Sequence, residues 1–133
     1  MTKILMIGLH ASAVDLSSHP GLDEATLAAR IEQSFAAVRA AGFDAEPCLV
    51  DADPDAAEKT VRDRLSEGTF GVAMIGGGVR MAPEHTLLFE RLINVLVSTT
   101  PGIRCCFNTS PETTIDAVRR WVPQQSPGAG TKA

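Results

Sequence analysis

Gly76, Gly77 and Gly78 follow a short apolar run, Val72–Ile75, and are themselves followed by Arg80, Pro83, Glu84 and His85. Glycines leave the backbone bare and can take positive φ, so their N–H groups can come close to a ligand. Arg80 offers a planar fork of donors that matches a carboxylate or phosphate. Pro83 suits the first position of a helix, and Glu84 adds an acid to its first turn. A strand, a glycine turn and a helix start together make an anion-binding geometry. A second stretch of the same kind is Asn108, Thr109 and Ser110 ahead of Pro111. It reads as a strand end and helix opening, where free N–H groups add further donors.

Acid–base chemistry needs a group that titrates near neutrality within reach of the substrate proton. His10, just after the first apolar segment, is the first choice for a general base and Glu84 the second. His19 and His85 are expected at the same edge, together with Asp15. The spacing of His10, Asp15, His19 and His85 matches no zinc-ligand pattern, so no metal is expected.

No cofactor is expected either. The dinucleotide fingerprint is absent, because Gly8-Leu9-His10-Ala11-Ser12-Ala13 keeps only its first glycine. There is no phosphate-loop lysine. A flavin site would want flanking aromatics, yet the chain has no tyrosine and one tryptophan, Trp121. A response regulator would end its third strand in aspartate, where this chain has Gly76. A cobalamin-binding domain is resembled in one point, the glycines followed by a proline. The chain departs from it at Gly8-Leu9-His10, which replaces the family's aspartate two before its histidine.

The elements that must position these groups alternate regularly. Strands are predicted at Lys3–Leu9, Phe43–Val50, Val72–Ile75 and Ile103–Phe107; Lys3–Leu9 is apolar on both faces and Val72–Ile75 lacks polar alternation, as in strands covered on both faces. Helices are predicted after Asp23, Asp53, Pro83 and Ser110. The first has Leu27, Ile31, Phe35 and Val38 at helical spacing and closes at Gly42. The second has Ala57, Val61 and Leu65 inward, and the last Ile115, Val118 and Val122. Alternation of this kind gives a parallel sheet in a three-layer α/β/α arrangement. Right-handed crossovers leave the order 2-1-3-4, flavodoxin-like or Rossmann-like, with the first and last helices on one face. The crevice then lies between the first and third strands at their carboxyl ends. A single domain over 1–123 with a loose tail over 124–133 is expected.

Composition narrows the class further. A net charge of −4 and a pI near 5.3 give no basic footprint for nucleic acid. No apolar run reaches the roughly 20 residues of a membrane span, and Ile4–Leu9 is too short for a signal-peptide core. Cys48, Cys105 and Cys106 fall in predicted strands with no C-x-x-C, as buried reduced thiols. The chain therefore reads as a cytoplasmic protein whose partner is a small anionic metabolite.

The blocks Gly78–His85 (GVRMAPEH) and Cys106–Pro111 (CFNTSP), with Ala117–Trp121 (AVRRW), resemble small bacterial proteins of unassigned function. The resemblance spans most of the chain and implies an α/β fold, with no activity attached. One further expectation concerns assembly. Leu87, Leu88, Phe89, Leu92, Ile93, Val95, Leu96 and Val97 cover most of a helix circumference, and the fourth strand is an edge without lysine or proline. Both features point to a homodimer or higher oligomer.

Overall fold

The computed structural model describes residues 2–17 and 19–122. The tail expected over 124–133, and Pro123 as its helix stop, lie outside the described residues. Four strands, β1 (Lys3–Leu9), β2 (Asp44–Val50), β3 (Val72–Ile75) and β4 (Arg104–Phe107), form one parallel sheet in the order β2-β1-β3-β4. Ile4–Ile7 lie in register with Val72–Ile75, and all eight residues are buried. Burial on both faces is why these segments show no polar alternation.

Among the described residues five α-helices surround the sheet: α1 (Glu24–Ala40), α2 (Pro54–Ser66), α3 (Gly77–Arg80), α4 (Thr86–Thr99) and α5 (Thr114–Trp121). The Asp23 carboxylate accepts from the Thr26 N–H at 2.7 Å, and Asp53 accepts from the Ala56 N–H at 3.0 Å. These caps satisfy orphan donors and fix where α1 and α2 begin. Gly42, at φ +97°, closes α1 by donating to the Arg39 carbonyl.

The alternating side chains of β1 define two cores. Leu5, Ile7 and Leu9 pack with Ala57, Val61 and Leu65 of α2 and with Leu88, Leu92 and Leu96 of α4. Ile4 and Met6 pack with Phe35 and Val38 of α1 and with Ala117 and Val118 of α5. The result is the three-layer arrangement that right-handed crossovers require. No helix among the described residues is long and apolar enough to cross a membrane.

The region after β3 differs from expectation. Gly76–Gly78 do not form a positive-φ loop. Gly76 caps the single turn of α3 at φ −72°, and the Met81 N–H closes that turn on the Gly77 carbonyl at 2.9 Å. The long helix does not begin at Pro83 either. Pro83 pushes the preceding residue out of the helical region, and Ala82 sits extended at φ −85° and ψ 133°. A 3-10 turn over Pro83–His85 then leads into α4 at Thr86.

The two surfaces expected to bind a second copy are smaller than the sequence suggests. On α4, Leu88, Leu92, Val95 and Leu96 are buried, and Phe89 and Ile93 pack at the margin of the core. Only Leu87 and Val97 remain largely exposed. On β4, Cys105 and Phe107 pack against the core under α4, and Arg120 donates to the Phe107 carbonyl at 2.7 Å. The edge is thus short and partly capped from α5.

Candidate functional site

At the carboxyl ends of β1, β3 and β4, on the α1–α5 side, the chain encloses a cavity of about 600 Å³. Its wall is mainly apolar: Leu27, Ile31 and Phe35 from α1, Met74 from β3, Val14 and Met81 from the connections. Its floor is Gly76–Gly78 and the turn Asn108–Pro111. At its mouth stand Asp15 and His19 from the β1–α1 connection, and Glu84 and His85 ahead of α4. This size and mixture, an apolar body with a few polar groups, is typical of sites for small organic molecules.

The glycines serve the cavity by lacking side chains, not by taking unusual φ. A methyl on Gly77 would come within 2.7 Å of the Met81 sulfur, and one on Gly78 would stand 3.5 Å from Leu9 and 4.0 Å from Val14. Side chains at these positions would therefore use up the space that the cavity offers.

Asn108 is the residue that ties the floor together. It is 6% exposed, and its side-chain oxygen accepts from the Gly77 N–H at 2.8 Å. Its amide nitrogen donates to the Thr114 hydroxyl, also at 2.8 Å. One side chain thus joins the end of β4, the start of α3 and the start of α5. Its placement at the end of a buried strand marks Asn108 in the sequence; its two bonds do not show there.

The structure brings together only some of the residues that the sequence offers as binders. Arg80 leaves the cavity. Its guanidinium donates to the Asn108 carbonyl and lies 5.2 Å from the centre of the Phe107 ring. The charge is shared between a carbonyl and an aromatic face rather than aimed at a ligand. The N–H groups of Thr109 and Ser110 are not free, since both donate to the Thr113 hydroxyl, at 2.9 and 3.1 Å. The Gly77 N–H is held by Asn108, and the Gly76 N–H donates to the Ile7 carbonyl at 2.9 Å. The Thr109 and Ser110 side chains remain at the floor, together with the exposed backbone of Gly78.

His10 is exposed and is not among the residues lining the cavity. Its backbone N–H donates to the Val50 carbonyl, which fixes the strand end but sends the side chain elsewhere. Glu84 lines the mouth, and so do His19 and His85. Among the described residues no group of three or more His, Cys, Asp or Glu is placed to hold a metal ion.

The cysteines offer no nucleophile. Cys48 and Cys106 are buried in the sheet, and burial pushes their thiols up to about 11 and about 12. Cys105 is shifted upward for the same reason. A thiol is reactive only as the thiolate, which these environments disfavour.

Sequence inspection missed the apolar wall. The stripe Leu27–Ile31–Phe35–Val38 was legible from its spacing, but that Leu27, Ile31 and Phe35 line a cavity while Val38 packs in the core is set by tertiary geometry. Compared with protein-family models, curated proteins and solved structures, the chain matches none.

Proposed function

We propose that the protein binds a small metabolite in this cavity, with an apolar body against Ile31, Phe35 and Met74 and a carboxylate or phosphate head at Gly78, Thr109 and Ser110. The observation that carries the reading is the cavity's position, in the crevice where the β3 glycines meet the turn into α5. In parallel α/β sheets this is where ligands gather. Bare backbone and two hydroxyl-bearing side chains at the floor supply donors, while the wall supplies a dry surface. Arg80 acts in this reading as a positioning residue, holding the end of β4 rather than touching the ligand. Acid–base or hydrolytic chemistry on the bound molecule would fall to Glu84 with His19 and His85, because His10 lies outside the cavity.

The test is a thermal-shift panel of matched pairs, each an apolar carboxylate or phosphate ester with its neutral alcohol or amide. The anionic members should raise the melting temperature more than their neutral partners. A panel in which no member stabilises the protein would end this reading.

A second reading, a non-catalytic homo-oligomeric module, is favoured by one observation. Phe89, Ile93 and Val97 recur every four residues along α4, half-buried to exposed, with Leu87 exposed nearby. Light scattering at micromolar concentration should then give twice the 14.1 kDa chain mass. A single-chain mass, or a dimer unaffected by Val97→Glu, would remove the α4 surface from consideration.

A further inference from the structure

The charges around the cavity are unusual for an anion site. Among the described residues no lysine or arginine lines it. The charged and titratable groups that do are Asp15 and His19 from the β1–α1 connection, and Glu84 and His85 from the segment ahead of α4. The faces contributed by α1 and by the turn into α5 carry none. Two neighbouring cations are already engaged: Arg30 of α1 is paired with Glu112 at 2.7 and 2.8 Å, and Arg80 of α3 is bound to the Asn108 carbonyl. With neutral histidines the mouth therefore bears two negative charges, which oppose an incoming anion. With both histidines protonated it bears none in sum.

We infer that the cavity takes up apolar monoanions together with protons on His19 and His85, so that ligand affinity rises as the pH falls. The inference rests on the small-molecule reading above and specifies its ligand class. A monocarboxylate meets the two acids with one charge, whereas a phosphate dianion meets them with two and is repelled about twice as strongly. Proton uptake and anion binding are linked and reciprocal, so the bound anion must also hold the histidines in their protonated form.

The probe should be an anion that does not itself titrate. 8-Anilinonaphthalene-1-sulfonate meets this need and is fluorescent in apolar sites, and N-phenyl-1-naphthylamine is its neutral counterpart. From pH 7.5 to 5.5 the sulfonate should bind about tenfold more tightly to the natural chain, the size expected of two charges at a solvated mouth. The neutral probe should bind equally at both pH values. In the double variant His19→Gln with His85→Gln, the sulfonate should lose this pH dependence, and each single variant should lose part of it. All four groups are at the mouth and His19 is exposed, so these variants keep the core intact.

A gain that persists in the double variant would place the proton on Asp15 or Glu84 and overturn the inference. An equal gain for both probes would do the same. Binding of both probes that survives Ile31→Trp would show that they sit elsewhere, and would overturn the underlying small-molecule reading instead.

Discussion

Replacing Asn108 by alanine should lower stability by about 3 kcal/mol, the largest effect expected of any polar substitution in the chain. The side chain is buried and makes two hydrogen bonds, to the Gly77 N–H and the Thr114 hydroxyl. Alanine leaves that N–H and that hydroxyl without partners in a site that excludes most water. An unmet buried group costs more than a typical bond contributes. In a domain of this size the change should appear as a melting temperature lower by roughly 10 °C. Thr114→Val removes one bond only and should cost less. The double variant should fall short of the sum, because both changes break the same network. Denaturant unfolding of the four chains measures this directly. A loss below about 1 kcal/mol for Asn108→Ala would mean that the clamp does not hold the floor.

Ile31→Trp should have the opposite profile, with stability nearly kept and binding lost. Ile31 is half-buried and faces the cavity from the middle of α1. A tryptophan there has open space to enter, so the overpacking that destabilises a filled core does not arise. The occupied volume is the volume the ligand needs. A stabilising ligand at a hundred times its Kd raises stability by about 2.7 kcal/mol, and the variant should show none of that gain. Titration of the best compound from the thermal-shift panel, followed by calorimetry, gives both values. A variant that binds as tightly as the natural chain would place the ligand outside this cavity.

How far the sequence led can be judged from particular residues. The caps at Asp23 and Asp53, the helix end at Gly42 and the strand order were legible, because each follows from local chemistry or from chirality. The position of the crevice was legible for the same reason. The direction of single side chains was not. Arg80 sits one turn beyond the glycines, and a one-turn helix rotates it away from the cavity toward Phe107. Had Gly76–Gly78 formed an open loop, the same residue could have reached the crevice. His10 is a similar case: its place after β1 was readable, but its side-chain direction depends on the turn over Ala11–Ala13. The hydroxyl of Thr113, which takes the Thr109 and Ser110 N–H groups, shows the same limit. Competition among nearby donors and acceptors is settled by tertiary geometry, which spacing alone does not encode.

The central claim is that the crevice floor receives the polar head of a small molecule. It is tested most directly by following backbone amide resonances while the best compound of the panel is added. The amides of Gly78, Thr109 and Ser110 should shift together and saturate with one affinity, with smaller changes at Ile31 and Phe35. Shifts confined to α2 and α4, or changes spread evenly with no saturation, would contradict it.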